Sequence, residues 1–156
     1  MFTFSKKRNF KALVCLVCLA LIACTKSVTN EINQSGLVIK DAYINYRSNE
    51  QQHFAAYFNI ENQTLNTIEI IDVASPAFNN VMIHNTVIEN GIAKMRHIDK
   101  LSINSKENLA FKPEGKHIML SQPLMNLSEM SGIYLVFILA NGEKLKYPIN
   151  FRKHNQ

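Results

Sequence analysis

From residue 37 onward, apolar residues come in short runs separated by turn-forming residues, and this spacing predicts strands. The runs fall at residues 38–44, 54–60, 67–73, 81–88, 92–98, 108–111, 116–120, 133–139 and 144–151. They are rich in Ile, Val, Phe and Tyr, whose branched and aromatic side chains suit a pleated surface. No segment beyond residue 36 keeps a 3.6-residue apolar period, so long helices are not expected. About nine short strands in about 120 residues predict an all-β, two-sheet antiparallel sandwich. Asn90-Gly91 and Asn141-Gly142 sit between such runs. Asn-Gly tolerates the positive φ angles of a type I′ turn, so each pair marks a hairpin. A two-residue loop at Asn90-Gly91 pairs Glu89 with Ile92, Thr86 with Met95 and His84 with His97. Met82, His84, Thr86 and Ile88 then share a face with Ala93, Met95 and His97, because side chains alternate along a strand. Val81, Ile83, Val87, Ile92 and Ile98 take the opposite face and are expected to cover the core.

One stretch breaks the strand pattern. Residues 12–23 form an unbroken apolar run, preceded by Lys6, Lys7, Arg8 and Lys11 with no acid among them. A basic start followed by a short apolar run describes an export signal. The run is shorter than the roughly 20 residues a spanning helix needs. It ends in Leu21-Ile22-Ala23-Cys24, which resembles the bacterial lipobox. That resemblance implies cleavage before Cys24, lipidation of its thiol, and anchoring on the periplasmic face of a bacterial membrane. Thr25 stands where an Asp would signal inner-membrane retention, so the resemblance favours the outer membrane. Residues 25–36 are polar and read as a tether. The expected organisation is a lipoprotein signal peptide at 1–23, a lipidated Cys and tether at 24–36, and a sandwich domain at 37–156.

Composition then reads differently. The whole chain of 156 residues carries 17 Lys plus Arg against 12 Asp plus Glu, and three cysteines. Removing the four basic residues of the signal leaves 13 against 12, a nearly neutral domain. Nucleic-acid binding, which needs a basic surface, loses its support. Cys15 and Cys18 belong to the signal and Cys24 to the anchor, so the domain is expected to hold no free thiol and no disulfide.

The candidate chemistry lies in His84, Met95, His117 and Met119, spaced His-x10-Met-x21-His-x-Met. Thioether sulfur is a soft ligand that prefers Cu(I), and imidazole also suits copper. Two His and two Met without thiolate or carboxylate fit Cu(I) better than Zn(II), Mg(II) or Ca(II). His84 and Met95 become diagonal neighbours in the expected hairpin. His117 and Met119 stand two apart on a strand and point the same way. Periodicity does not say whether the two pairs meet. The spacing resembles the periplasmic copper chaperone family that serves the CuA centre of cytochrome oxidase. Asn90-Gly91, Met95-Arg96 and the stretch Lys112-Pro113-Glu114-Gly115 before His117-Ile118-Met119-Leu120 carry the same likeness. The resemblance implies a cupredoxin-like Greek-key β-sandwich in which His84, Met95, His117 and Met119 bind Cu(I), with Cu(II) held more weakly. It further implies a copper-accepting protein, such as the CuA subunit, as partner.

His97 falls on the same face and is a candidate added ligand or a donor that hydrogen-bonds to a ligand, with a solvent-exposed or hydrogen-bonded side chain as the alternative. Met82 could edge the site, while Met82, Met125 and Met130 otherwise read as packing residues. His154, in the short basic C-terminus, reads as exposed, and His53 has no partner signal. The expected function is a monomeric, non-catalytic copper carrier. The competing reading is a membrane-displayed sandwich that binds or supports without metal. An electron-transfer cupredoxin would need a Cys ligand, which the domain lacks. No nucleophile elbow, HExxH motif or phosphate-cradling Gly loop points to a hydrolase.

Overall fold

The computed structural model describes residues 36–153. The expected signal peptide, Cys24, the tether up to residue 35 and His154 lie outside the described residues. The described chain is built from strands with one short 3-10 turn at Leu127–Glu129. Eleven strands form: β1 (Leu37–Tyr46), β2 (His53–Asn62), β3 (Ile68–Ala74), β4 (Phe78–Glu89), β5 (Ile92–His97), β6 (Leu101–Ile103), β7 (Asn108–Phe111), β8 (Lys116–Pro123), β9 (Tyr134–Leu139), β10 (Lys144–Pro148) and β11 (Asn150–Lys153). The larger sheet runs β11-β1-β2-β8-β4-β5, with β7 paired to the far half of β2. The smaller sheet runs β10-β9-β3-β6.

The all-β sandwich is as expected, with two more strands than the sequence pattern suggested. The three-residue β6 is too short to show a period, and it forms by pairing with β3. The run at 144–151 is two strands rather than one. β10 pairs with β9 in the smaller sheet, and β11 crosses to pair with β1 in the larger one. The break falls at buried Ile149, whose amide bonds to the carbonyl of Ile133. β1 and β11 run parallel, an exception within an otherwise antiparallel assembly.

Alternation places one side of each sheet in the core. Ile44, Phe54, Phe58, Ile60, Ile83, Ile118 and Leu120 come from the larger sheet, and Ile70, Ile103, Leu135, Phe137 and Leu139 from the smaller one. Phe58 ties the layers together, stacked on Phe111 at 4.3 Å and edge-on to Phe137 at 5.8 Å between ring centroids. Burying one such side chain contributes roughly 1.5–3 kcal/mol. Asn62 is fully buried yet satisfied: its amide donates to the carbonyls of Asn66, Ile103 and Asn104, and its oxygen accepts from Thr64. A buried amide with every valence used fastens the end of β2 to β6 without an unpaired polar group.

The β4–β5 hairpin has the expected register, with Glu89 opposite Ile92, Thr86 opposite Met95 and His84 opposite His97. Asn90 and Gly91 take φ of 53° and 76°, the left-handed pair of a type I′ turn. The expected core face, however, is covered only near its base. Ile83 is buried and Val81 and Ile98 are partly so, whereas Ile92 is 63% exposed, because the hairpin tip has no facing layer. Asn141-Gly142 also closes a hairpin, but by a three-residue loop in which only Gly142 takes positive φ. Of the methionines read as packing, Met130 lies against the core, while Met125 is exposed.

Candidate metal centre

β8, β4 and β5 lie side by side in the larger sheet, so residues on their outward faces form rows. One row is His117, His84 and His97, with His84 directly opposite both neighbours. The ring of His84 stands 5.8 Å from that of His117 and 5.7 Å from that of His97, nearly perpendicular to each. Two residues along one way, Met119 stands opposite Met82. Two residues along the other way, Met95 stands opposite Thr86, diagonal to His84. The pairs His84–Met95 and His117–Met119 therefore meet on one face. Pairing of β4 with β8, two strands well separated in sequence, is what joins them.

Exposure grades across the row. His117 is 7% exposed, His84 and Met119 are half-buried, Met82 is 39% exposed and Met95 is 62% exposed. The inner edge of the site is fixed and the outer edge faces solvent.

The turn before β8 sets the inner edge. Pro113 to Gly115 form the turn that links β7 to β8, two strands that pair in succession with the same edge of β2, with Glu114 at φ 61°. The Gly115 carbonyl accepts from the amide of Thr86 at 3.0 Å and faces His117 Nδ1 at 3.1 Å. A carbonyl can only accept, so the hydrogen sits on Nδ1 and leaves the Nε2 lone pair free to ligate. This oxygen thus locks β4 to β8 and fixes the tautomer of His117, the outer-shell contact that a ligating imidazole needs. His84 is different: its Nδ1 is buried without a hydrogen-bond partner. Burial, then the nearby His117 and His97, pushes the His84 pKa below the ordinary value of 6.5. A neutral ring with an orphaned nitrogen is the state a metal ligand requires.

His97 Nε2 lies 3.2 Å from Asp99 Oδ1, with the His97 side chain 47% exposed. His97 is thus both exposed and paired. Asp99 and the Gly115 carbonyl were not singled out from sequence. A His-x-Asp spacing and a Gly two residues before His117 were the signals available. Among the described residues, no group of three or more His, Cys, Asp or Glu forms a ready-made metal cage. An ion held on this face by His84 and His117 needs further donors, and the Met sulfurs stand on the same face. His53 is exposed and away from this row.

Comparison with known proteins adds three findings. Residues 37–150 match the LpqE-like lipoprotein family model. Protein RP573 of Rickettsia prowazekii (strain Madrid E) is 29% identical over 84 residues, 53% of this chain, and the match spans 46% of that relative, less than half its length. Among solved structures, the copper-bound PCuAC domain from PmoF2 superposes with a TM-score of 0.60 at 13% identity, over 76% of this chain and 94% of that one. The solution structure of Cu(I)-bound DR1885 from Deinococcus radiodurans superposes with a TM-score of 0.60 at 21% identity, over 76% and 79%. At these identities the superpositions establish a shared fold.

Proposed function

The chain belongs to the LpqE-like family and carries the PCuAC fold, and from that premise we propose that it is a copper(I) carrier of the bacterial periplasm. The copper is cargo, held by His84, Met95, His117 and Met119 and passed by ligand exchange to a copper-accepting protein. The CuA subunit of cytochrome oxidase is the acceptor this reading favours. Lipidation at Cys24 would tether the carrier to the membrane, preferentially the outer one.

A single observation supports the reading most. The two sequence-local His and Met pairs come together on one sheet face, and the central imidazole keeps a buried nitrogen with no partner. Thioether and imidazole are the donor types that suit Cu(I), and neutral donors release the ion to a stronger site. The gradient from buried His117 to exposed Met95 gives transfer a direction, because an acceptor can displace the exposed sulfur first. PCuAC domains with copper bound exist on this fold.

Anaerobic Cu(I) titration of the full chain against a competing chelator tests the proposal. About one Cu(I) per chain is expected, as one four-donor site implies. The double substitution Met95→Leu with Met119→Leu keeps the size of both side chains and removes both sulfurs, so binding should be lost. An unchanged affinity in that variant would overturn the assignment.

A further inference from the structure

The two Asn-Gly turns are alike in sequence and differ in how firmly they are held. Asn141-Gly142 is tied on both sides of the peptide bond that joins it. The Gly142 amide donates to the Leu139 carbonyl at 2.9 Å, and Asn141 Oδ1 accepts from the Glu143 amide at 2.9 Å. Beneath that turn, Leu139 and Leu145 are buried. Asn90-Gly91 has neither restraint. Among the described residues, the Asn90 side chain and the Gly91 amide meet no hydrogen-bond partner. Both residues are exposed, and Ile92 beside them finds no facing layer. We propose that Asn90 is a self-modification site, at which the chain converts its own amide to an acid through a succinimide, and that the reaction unlatches β5. This does not depend on what the sheet face binds.

The chemistry needs no group beyond water. Glycine leaves its backbone N–H unshielded by a side chain, which opens a preceding Asn, a heat-labile residue, to attack. The Gly91 nitrogen gives up its proton to solvent and attacks Cγ of Asn90. A bond forms between that nitrogen and Cγ, the Cγ–Nδ2 bond breaks, and ammonia leaves carrying a proton. Water then opens the succinimide ring. Cleavage of the new bond at Cγ gives aspartate. Cleavage of the original peptide bond gives isoaspartate, with the main chain routed through Cβ and Cγ. Water is consumed, ammonia is released, and nothing is oxidised or reduced.

Structure selects the site. The turn must open before the Gly91 nitrogen can swing toward Cγ. An uncovered hairpin tip opens readily, whereas a tied turn seated on buried leucines opens rarely. Structure also sets the consequence. Aspartate still fits, because Asp-Gly makes the same type I′ turn. Isoaspartate does not, because it lengthens the backbone of a two-residue loop whose length fixes register. Among the described residues β5 pairs only with β4, at the edge of the sheet. Loss of the turn therefore frees the pairings of Thr86 with Met95 and His84 with His97.

Ageing the full chain in mildly alkaline buffer, folded and in denaturant, tests the proposal by peptide mass mapping. In denaturant the two Asn-Gly pairs should react at rates within about twofold of each other, since no fold distinguishes them. In the folded chain Asn90 should react at least about fivefold faster than Asn141, the scale of a modest difference in local opening. Equal rates in the folded chain, a faster Asn141, or an Asn90 that reacts only in denaturant would overturn the site. Amide exchange of the aged chain tests the consequence. The isoaspartate form should exchange faster along β5 and residues 84–89, with β2 and β8 unchanged. Asn90→Gly keeps a Gly-Gly pair suited to the same turn and removes the reactive amide, so ageing should leave its exchange pattern as it began. An isoaspartate form that exchanges like the fresh protein would refute the unlatching.

Discussion

β4 has two halves that look alike in sequence and live in different surroundings. Residues 78–83 bury Phe78 and Ile83 in the sandwich. Residues 84–89, with β5 beside them, run past the end of the cover, and Ile92 on the core-side face is left exposed. β-branched residues fill both halves, so intrinsic strand preference does not separate them. What separates them is whether another layer lies opposite. The first half is held by burial. The second is held by ladder hydrogen bonds, its type I′ turn and the surface contacts of Glu89 with Lys94 and Arg96. The candidate metal centre sits where one regime passes into the other, at His84.

The largest effect should come from the covered half. Ile118 is fully buried on β8 and pairs with Ile83 of β4. Ile118→Ala leaves a cavity between the sheets and should cost about 2–5 kcal/mol. The matched change at the hairpin tip, Ile92→Ala, removes similar atoms from solvent-facing surface and should stay within about 0.5 kcal/mol. Denaturant unfolding of both variants checks the contrast. Comparable losses would mean that the hairpin is covered in solution.

A smaller, local effect should follow at the turn. Gly91 has φ +76° and open space where a Cβ would stand. Gly91→Ala therefore meets no clash and is penalised only by its left-handed backbone, by about 1–2 kcal/mol. Because the hairpin has little cover, the loss should appear as local opening. Amide exchange should speed up along β4 residues 84–89 and β5, and hold steady in β2 and β8. Uniform acceleration across all four strands would erase the distinction between the two regions.

Much of this was legible in the sequence, for physical reasons that differ by residue. Asn90-Gly91 admits one tight turn, and a tight turn fixes register, so the pairings of His84 with His97 and Thr86 with Met95 follow from two residues. The facing of His117 with Met119 follows from alternation alone. The meeting of the two pairs did not follow, because β4 pairs with β8 across a long intervening chain and strand periodicity carries no partner information. β6 was hidden by its length, and the division of β10 from β11 by a continuous β-rich pattern through Ile149. The exposure of Ile92 was misjudged because alternation tells which face a residue takes, not whether that face is covered. The family resemblance supplied the ligand set but gave no role to His97, whose place in the row depends on register.

The finest test of the boundary is a pH titration. His84 is neither in the core nor at the tip, and burial followed by the neighbouring His117 and His97 holds its pKa below 6.5. On lowering the pH, the unfolded chain therefore takes up a proton at this residue before the folded chain does. The stability contributed by the neutral ring is fully present above about pH 6.5 and is lost as pH falls through the lowered folded pKa. The lowered pKa values of Glu61 and Glu89, held by Lys40 and by Lys94 with Arg96, act in the carboxylate range further down and leave this window clear. His84→Gln removes the ionisable group and keeps a polar side chain. Between about pH 7.5 and 5, the unfolding midpoint of the native protein should fall more steeply than that of the variant. The same proton competes with copper for the ring, so Cu(I) affinity should weaken over that span as well. Parallel pH profiles for the two proteins would place His84 in solvent with the hairpin tip, and would move the boundary between the two regions toward Ile83.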